Sequence, residues 1–436
     1  MTAKGIDFSL RRENLSKLLL DDSVILLASS SIKSRNSDSD FPFRQDSNFY
    51  YLSGFNEPES LLVIRPSAKK RKYVIFCRDR DPLREQWDGF RSGQGGAKEV
   101  HGADGAYSIS LVDEVMPSLL EGARNIYYSM SSPNGINIGL NKWLDQIRAN
   151  TRQGSEVPEN LLSLDSLLDE LRLLKDEEEL LLMRKAGEIT CEAHIRAMTN
   201  VTPGMYEYQL EAEYLHTFIK GGARFPAYNS IVGGGNNSCI LHYNENNSEL
   251  ADGDLVLVDA GCEYEHYASD VTRTFPVGKK FTVEQKKIYE IVLEAHKQAS
   301  AEIKPGNPWI RAQDTSVKVI TEGLIDLGLL KGKANEIIKK GEYSKFYMHR
   351  IGHWLGMDVH DVGNYKKNGQ WRDLEPGMVL TIEPGIYILD SLEDVEEKWL
   401  GIGIRIEDDL LVTENGNEVL SANAPRDIQD IESLRS

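Results

Sequence analysis

The sequence predicts a two-domain α/β protein, and three observations support this prediction. Its 436 residues exceed the roughly 250–300 residues at which a single hydrophobic core stops growing. Over residues 1–170, helix-like segments alternate with short β-rich runs such as ESLLVIRP, KYVIFCRD and NIYYSM, which is typical of an α/β domain. The stretch 166–198 is strongly helical in composition, and we expect the domain boundary near Lys175 within it.

The remainder of the chain runs through a similar order of elements twice. The first pass contains the stretch 166–198, a TPG turn, a second helix MYEYQLEAEYLHTFIKGG and the apolar strand DLVLVDAG. The second pass opens with Thr282 and Gln285 in capping-box spacing. It continues through KPG, another helical stretch, GMVLTIEPG and IGIRIEDDLLVT. This order predicts a pseudo-symmetric sheet structure with a cleft between its two halves.

The charge balance narrows the possible partners. Lys and Arg total 50, Asp and Glu total 68, and the formal net charge is −18. Because nucleic-acid binding depends on Lys and Arg contacts to phosphates, we expect no nucleic-acid partner. An acidic cleft favours metal cations or a substrate ammonium group instead.

The cysteines and the apolar segments indicate where the chain resides. Its four cysteines form no C-x-x-C pair, which argues against a disulfide framework or a cysteine zinc site and predicts free thiols in a reducing compartment. The N-terminus lacks the continuous apolar stretch of a secretion signal, and no segment approaches the ~18 apolar residues of a membrane span. We therefore expect a cytoplasmic protein without membrane contact.

Four carboxylates stand at the ends of apolar strands or beside them. Asp259 ends the run Leu255–Val258, and Asp270 follows after a turn-like segment, so two adjacent antiparallel strands would bring them together. Glu383 ends a second apolar run, and Glu407 is expected on one strand face with Arg405, two residues before it. An ionised carboxylate in such a place is costly unless it is paired or binds a cation. Four such acids together with a histidine predict a cation site.

Three histidines lie within the segment HRIGHWLGMDVHDVG, residues 349–363. His349 and His353 have the spacing of the zinc motif H-E-x-x-H, in which both imidazoles lie on one helical face. Arg350 stands where that motif has its glutamate, and Gly352 and Gly356 disfavour a helix. We therefore predict that most metal ligands come from other parts of the chain.

The neighbouring acids have simpler interpretations. A single aspartate after a strand is more often a turn residue or helix cap than a ligand. Four further acids are accordingly assigned to solvated turns, backbone caps or the orientation of metal ligands. They are Asp358, Asp361, Asp408 and Asp409.

Taken together, these motifs resemble a known family. HYN with His242, LVLVDAG, SDVTRTF, HRIGHWLGMDVHDVG, LEPGMVLTIEPGIYI and GIGIRIEDDLLVT resemble the pita-bread metallopeptidases, specifically the bacterial aminopeptidase P type. FRQDSNFYYLSGFNEPES and EQWDGFRSG resemble the creatinase-type N-terminal domain of that type. The resemblance implies a creatinase-like α/β domain over residues 1–172 and a pita-bread catalytic domain with a pseudo-twofold repeat over 173–436.

The resemblance also implies a dinuclear metal centre. Its five ligands would be Asp259, Asp270, His353, Glu383 and Glu407, with Asp270 and Glu407 bridging both metal ions. This oxygen-rich set suits Mn²⁺, although Zn²⁺ or Co²⁺ could also occupy it. The implied reaction uses a hydroxide held between the two metals to attack the scissile carbonyl carbon.

Several residues acquire roles from the resemblance. Glu383 would accept the proton of the water and pass it towards the proline nitrogen. His242 and His360 would contact the peptide and stabilise the tetrahedral intermediate, and the substrate amine would lie near the metal bound by Asp259. Five further residues are candidates for substrate binding, with Trp87 closing the site or being an ordinary interface tryptophan. They are His349, Tyr387, Arg405, Arg372 and Trp87.

The implied activity is that of a Xaa-Pro aminopeptidase, which hydrolyses the bond between an N-terminal residue and a penultimate proline. One alternative is a prolidase restricted to X-Pro dipeptides, in which Arg372 or Arg405 would hold the dipeptide carboxylate. Another is a non-catalytic peptide-binding relative, although all five ligand positions are present. The resemblance implies a homo-oligomer, dimer or tetramer. Arg350 departs from the pattern and leaves the substrate preference open.

Overall fold

A computed structural model describes residues 5–130 and 136–435. The chain divides into two compact units, Met1–Leu171 and Arg172–Ser436. Both units combine helices with strands, so the predicted α/β class is confirmed. Among the described residues, no helix combines the length and the apolar character needed to span a bilayer.

The first unit is built on one six-stranded mixed sheet. Its helices are α1 Phe8–Ser16, α2 Ser47–Ser53, α3 Pro82–Asp88, α4 Gly93–Glu99, α5 Val112–Leu120, α6 Ile136–Ala149 and α7 Asp165–Leu173, the last of which runs across the division. Its strands are β1 Ser23–Ala28, β2 Ser34–Asn36, β3 Ser39–Asp40, β4 Leu61–Ile64, β5 Tyr73–Cys77, β6 Gly105–Ser108, β7 Asn125–Tyr128 and β8 Asn160–Ser163. The strand order is β6-β5-β4-β1-β7-β8.

The core of the first unit explains these elements. The strands β1, β4 and β5 are apolar along their length and buried on both faces, as expected for the centre of a sheet covered by helices. Met116 and Leu120 of α5 and Trp143 of α6 pack in one cluster with Leu26 and Phe76 of the sheet.

The second unit contains the remaining elements. Its helices are α8 Glu177–Asn200, α9 Glu207–Gly221, α10 Val283–Ala301, α11 Ile310–Asp326, α12 Ala334–Lys340 and α13 Ile428–Leu434. Its strands are β9 Phe225–Pro226, β10 Ile231–Gly234, β11 Leu255–Asp259, β12 Cys262–Tyr264, β13 Tyr267–Ala268, β14 Thr272–Pro276, β15 Lys366–Lys367, β16 Gln370–Trp371, β17 Val379–Ile382, β18 Gly385–Ile388, β19 Ile402–Arg405, β20 Asp408–Thr413 and β21 Gly416–Val419.

The two halves of the second unit have the same kinds of parts. The first half has the helices α8 and α9 and the antiparallel sheet β10-β11-β14. The second half has the helices α10 and α11 and the antiparallel sheet β17-β20-β21. The helices of each pair pack against one another, and α10 begins at the predicted capping box of Thr282 and Gln285. The repeated order of elements predicted from the sequence is therefore present.

The helical stretch 166–198 is interrupted between Leu173 and Glu177. Asp176 caps α8: its carboxylate accepts a hydrogen bond from the backbone N–H of Glu179, whose own carboxylate accepts one from the Asp176 N–H. This reciprocal pair satisfies two donors that a new helix would otherwise leave free. Helix-forming composition alone does not reveal the break.

The segment IGIRIEDDLLVT is two strands rather than one. Strand β19 pairs with β18 and ends at Arg405, whereas β20 begins at Asp408 and pairs with β17. Between them, the Glu407 N–H donates to the carbonyl oxygen of Thr272 at 3.1 Å. The prediction of one strand carrying Arg405 and Glu407 is wrong because the chain changes partner strand at this point, which places Glu407 at the junction.

Candidate metal centre and substrate cavity

A cavity of about 960 Å³ lies in the second unit. Acids from several strands reach it. Asp259 is the last residue of β11, Asp270 lies two residues before β14, Glu383 follows β17, and Glu407 stands between β19 and β20. Together with His353, these residues line the same cavity. The structure therefore brings together all five residues expected to bind metal.

The side chains lie close enough to share a cation. One ligand atom each from Asp270, His353 and Glu407 lies within 4.8 Å of the others. The Nε2 atom of His353 is 3.3 Å from Oδ2 of Asp270 and 3.8 Å from Oε1 of Glu383. The Tyr228 hydroxyl lies 2.5 Å from carboxylate oxygens of both Asp259 and Asp270. Four carboxylates and one imidazole thus converge on one small region.

The segment that carries His353 is irregular rather than helical, and it is held against β17 by a bridge between Trp354 and Leu380. The Gly352 position admits no side chain, because a Cβ atom there would lie 1.9 Å from the carbonyl oxygen of Thr381. The His353 N–H donates to Oγ1 of Thr381 at 3.1 Å, and the Thr381 N–H donates to the His353 carbonyl oxygen at 2.9 Å. The predicted absence of a helix here is confirmed, and the glycine allows the close approach that fixes the imidazole.

Arg405 holds two of the acids in place. Its guanidinium donates to Oδ2 of Asp259 at 2.6 Å, to the Tyr387 hydroxyl at 2.9 Å and to Oγ1 of Thr272 at 3.1 Å. The Thr272 hydroxyl in turn donates to Glu407 at 2.6 Å. Arg405 is buried, so its charge acts on these acids with little screening by water.

The acids of the site outnumber its cations, and three of the four have raised pKa values; burial would also raise the pKa of Asp270, but hydrogen bonding and attraction to His353 lower it. Burial raises the pKa of Glu383 to about 7, and burial together with the charge of Asp270 raises the pKa of Glu407 well above its usual range. Burial also raises the pKa of Asp259, against the opposing charge of Arg405. Burial disfavours the charged form of His353, but hydrogen bonding and attraction to Asp270 raise its pKa to about 9.

The donor set fits divalent cations. Carboxylate oxygens with one imidazole are the ligands that Mn²⁺ and related hard or borderline cations prefer. The raised pKa values of Asp259, Glu383 and Glu407 show that the protein alone does not neutralise these acids. Added positive charge would relieve that repulsion. The structure thus supplies both the ligands and an electrostatic reason for binding metal.

His349 lies in the cavity wall with both ring nitrogens occupied. Its Nε2 is 2.9 Å from the Tyr387 hydroxyl, which accepts from Arg405, and its Nδ1 is 2.8 Å from the carbonyl oxygen of Arg350. The Tyr387 proton therefore goes to Nε2, and Nδ1–H donates to the carbonyl. Burial and the charge of Arg405 lower the pKa of His349 to about 4. His349 is neutral near pH 7 and lines the cavity.

His360 and His242 are the exposed histidines of the cavity. The His360 ring centroid lies 4.2 Å from that of His353. Partial burial and the neighbouring His353 lower the pKa of His360, so its imidazole is neutral near pH 7. Such a ring can donate one N–H to an oxygen of a bound peptide.

Two of the expected substrate-binding residues, Arg372 and Trp87, are not among the residues that line the cavity in the second unit. Arg372 is buried outside the set of residues that line the cavity, and its guanidinium pairs with Glu375 at 3.1 Å. Trp87 belongs to α3 in the first unit and is 86% exposed. Arg405 lines the cavity, and the Tyr387 hydroxyl lies 2.9 Å from Nε2 of His349, which also lines it.

Three of the four neighbouring acids, Asp361, Asp408 and Asp409, are buried, which excludes the solvated-turn alternative for them. Asp361 accepts from Arg172 at 2.6 Å and from Lys175 at 3.0 Å. Asp408 is fully buried, and its pKa is far below the usual range because Arg273, His296 and Arg426 overcome the effect of burial. Side-chain alternation could not reveal these partners, which come from distant segments.

The carboxylate of Asp409 supports a metal-site residue directly. Both of its oxygens accept from the backbone N–H of Asp270, at 3.1 and 3.2 Å. This contact fits the alternative interpretation of a backbone cap that orients a ligand. Asp358, the fourth acid, is partly exposed and pairs with Arg172 at 2.7 Å.

Tyr228, Thr272 and Thr381 contact the site residues and were missed by sequence reasoning. Thr272 stands two residues after Asp270, so the period of an extended chain could have placed both on one face. Thr381 lies two residues before Glu383 and carries the same signal. Tyr228 sits in the loop before β10, where no sequence pattern marks it.

Two family models match the chain. The model described as metallopeptidase family M24 matches residues 181–414, and the model described as the aminopeptidase P N-terminal domain matches residues 8–127. The first range contains every cavity-lining residue named above.

Relatives and solved structures match over nearly the full length. The Xaa-Pro aminopeptidases of Haemophilus influenzae and Escherichia coli are 46% and 44% identical to this chain over 98% of it, covering 96% and 97% of the relatives. The structure of Pseudomonas aeruginosa aminopeptidase PepP superposes with a TM-score of 0.97 at 49% identity, covering 98% of this chain and 97% of that chain. The predicted creatinase-type and pita-bread architecture is thereby confirmed.

Proposed function

The chain is a member of metallopeptidase family M24, and we propose that it is a Xaa-Pro aminopeptidase that acts on peptides with proline at the second position. The convergence of Asp259, Asp270, His353, Glu383 and Glu407 in one cavity carries the proposal. Xaa-Pro aminopeptidases that share 44–46% of its sequence support it, as does a substrate complex of a variant of Escherichia coli aminopeptidase P at a TM-score of 0.95, 44% identity and coverage of 98% and 97% of the two chains.

In this proposal the chain has two functional parts. Residues 1–172 form a creatinase-like N-terminal domain, and residues 173–436 form the catalytic domain. The family-model ranges 8–127 and 181–414 support this division.

The five converging residues would hold two divalent cations, which we propose to be Mn²⁺. Asp259, Asp270, His353, Glu383 and Glu407 would supply the ligand atoms. The oxygen-rich donors support manganese, although a Zn-substituted Escherichia coli aminopeptidase P has also been solved with product. When bound, such ions supply Lewis acidity and lower the pKa of water.

Glu383 is the proposed proton carrier. Its carboxylate lines the cavity beside His353, with Oε1 3.8 Å from the imidazole Nε2, and a carboxylate so placed can accept and return a proton. It can accept a proton from the attacking water and release it to the proline nitrogen as the peptide bond breaks. Its neighbour His349 is neutral and occupied by Tyr387 and Arg350, so it does not compete for that proton.

The cavity walls would orient the peptide. The N-terminal ammonium would lie among the acids near Asp259, and the ring faces of His349 would pack against proline, with Arg405 and Tyr387 fixing that imidazole. His360 and His242 would donate hydrogen bonds to the peptide oxygen that gains charge. These donors are directed where negative charge develops, which is the interaction that lowers a barrier.

A peptide series tests the proposal. The metal-loaded protein is expected to release the first residue from Ala-Pro-Ala and from longer Ala-Pro peptides, with activity lost after chelation and restored by Mn²⁺. Failure to cleave any of these peptides would refute it. Cleavage of the Ala-Pro dipeptide alone would favour a prolidase. The structure weakens that alternative, since Arg372 pairs with Glu375 and Arg405 is engaged by Asp259.

We also propose a dimeric or tetrameric state, a cytoplasmic location and a role for Trp87 in closing the site. Light scattering would measure the oligomer. A Trp87→Ala variant is expected to raise KM if Trp87 contacts the substrate, and unchanged kinetics would leave it an ordinary exposed tryptophan.

A further inference from the structure

One wall of the cavity combines aromatic rings with cations. Trp309, Tyr365, Trp371 and Arg350 line it, and Lys366 lies beside Trp371; we name these five residues the exit wall. The Trp371 ring stacks on that of Trp309, with centroids 5.7 Å apart and planes 22° apart. The Arg350 guanidinium lies 6.0 Å from the Trp371 centroid, and the Lys366 ammonium lies 4.5 Å from it. Two cations therefore share one indole ring.

A short hairpin builds this wall. Strands β15 and β16 are joined by Asn368 and Gly369, whose φ angles are +51° and +79°. An Asn-Gly pair with two positive φ values is the preferred tight hairpin turn. It sets Lys366 directly opposite Trp371, so the two side chains meet on one face.

The two cations of the wall are not neutralised by the protein. Within residues 5–130 and 136–435, no carboxylate lies within 4.0 Å of the charged groups of Arg350 or Lys366, and both side chains are exposed. This is notable in a chain with a net charge of −18. The deep part of the cavity has the opposite character, because its acids outnumber Arg405. The cavity is negative in its depth and positive along this wall.

The position of Arg350 indicates which part of a substrate meets the wall. It follows His349, the residue proposed to pack against proline, while the N-terminal ammonium is proposed to lie near Asp259. The peptide beyond proline would then run past Arg350. Resting on the proposed function, we propose that the exit wall is a subsite for a carboxylate carried by the substrate after proline.

The chemistry of the wall fits a carboxylate. A guanidinium can donate two parallel hydrogen bonds to a carboxylate, and its planar face stacks on an aromatic ring at the same time. The positive charge of Lys366, beside the Trp371 ring, would also attract the carboxylate without contacting it directly. The carboxylate has two possible sources: the side chain of an acidic third residue or the C-terminus of a short peptide.

Matched peptides separate these sources. Ala-Pro-Glu-amide and Ala-Pro-Gln-amide differ only in the side-chain charge, and Ala-Pro-Ala and Ala-Pro-Ala-amide differ only in the terminal charge. We expect the metal-loaded protein to favour the charged member of at least one pair by about three- to tenfold in kcat/KM at low salt. The preference should shrink at about 1 M salt, where the screening length is about 3 Å.

Variants assign the preference to Arg350. The ratio of kcat/KM for the charged peptide to kcat/KM for its uncharged partner should fall to about one in Arg350→Gln and below one in Arg350→Glu. Arg350→Lys should keep part of the preference. Lys367→Gln is the matched control: it removes one charge from the same hairpin, but its side chain points to the other face, so the ratio should stay. A ratio near one in the unaltered protein would overturn the subsite, and so would a ratio that stays unchanged in the Arg350 variants.

A binding measurement tests the subsite independently of the proposed function. Calorimetry with the metal-free protein gives Kd for the same four peptides without requiring hydrolysis. If no peptide is cleaved, the proposed function fails, while a Kd preference for a charged member that disappears in Arg350→Gln still supports the wall. Equal Kd values within both pairs would overturn it.

Discussion

Two buried charge clusters lie side by side in the second unit, and they differ in charge balance. The metal cluster contains four acids with one guanidinium and one imidazole. Its members are Asp259, Asp270, Glu383, Glu407, His353 and Arg405. The Asp408 cluster contains one acid with two guanidinium groups and one imidazole. Its members are Asp408, Arg273, Arg426 and His296.

The adjacent residues Glu407 and Asp408 show the consequence of this difference. Both side chains are buried to 1% exposure or less. Burial and neighbouring acids raise the pKa of Glu407, while Arg273 and its neighbours lower that of Asp408 against the effect of burial. Burial of an acid is therefore not a sign of function. An excess of buried acids over cations is the sign, because it must be balanced by bound protons or by a cation from outside.

The largest expected effect is the loss of activity when Glu383, the proposed proton carrier of the metal cluster, is substituted. Glu383→Gln should lower kcat by about 10²- to 10⁴-fold, because the amide cannot accept or return a proton. Stopped-flow or steady-state hydrolysis of Ala-Pro-Ala measures it. Glu414→Gln, an exposed turn acid, is the control and should keep full activity. Retention of more than a tenth of the activity in Glu383→Gln would remove Glu383 from the proposed chemistry.

Breaking the Asp408 cluster should lower the stability of the fold instead. Asp408→Asn leaves the fully buried Arg273 without its carboxylate, and loss of one partner of a buried ion pair costs about 3–5 kcal/mol. Urea unfolding measures this loss. Glu418→Gln breaks the partly exposed pair with Arg184 and should cost less than about 1 kcal/mol. Similar losses in the two variants would contradict the assignment of Asp408 as the essential partner of Arg273.

In the metal-free protein, the acids of the metal cluster should make the stability of the fold decrease as pH rises. Burial raises the folded-state pKa of Glu383 from 4.5 to about 7, so the folded state binds more protons than the unfolded state between these values. Stability must then fall as pH rises from about 4.5 to 7, by at most about 3 kcal/mol from this group. Glu383→Gln should flatten that fall. A metal-free stability curve that rises over this range in the variant and in the unaltered protein alike would refute the interpretation.

Metal should reverse this destabilisation. Manganese at about 100 times its Kd should stabilise the folded protein by about 2.7 kcal/mol, with an affinity that increases with pH as the ligand acids lose their protons. Thermal unfolding with and without Mn²⁺ tests this. Glu407→Gln should reduce the shift. Equal stabilisation of the unaltered protein and the variant would place the metal elsewhere.

Much of the architecture could be predicted locally. The apolar run before Asp259, the capping box at Thr282 and the glycines beside His353 each reflect a local rule of backbone or side-chain geometry. The helical break at Asp176 escaped prediction because its composition is as helical as its surroundings.

The residues of the site could be predicted better than the contacts between them. The five ligand positions follow from motifs and from the resemblance, and the structure brings them into one cavity. Asp361 pairs with Arg172, Asp408 with Arg273, and Arg372 with Glu375. These partners could not be predicted, because the packing of the folded chain brings them together. A strand period reports which side chains share a face but not what lies opposite that face.

The sequence by itself determined the α/β class, the twofold order of elements and the accumulation of acids at strand ends. These depend on periodicity, turn chemistry and composition, which act over a few residues. Only the tertiary structure decided that Glu407 faces the metal cluster while Asp408 faces Arg273. It also decided that His349 is occupied by Tyr387 and that Arg350 lines the exit wall. Charge balance around a buried group is the sum over all segments packed against it, so it exists only once the chain has folded.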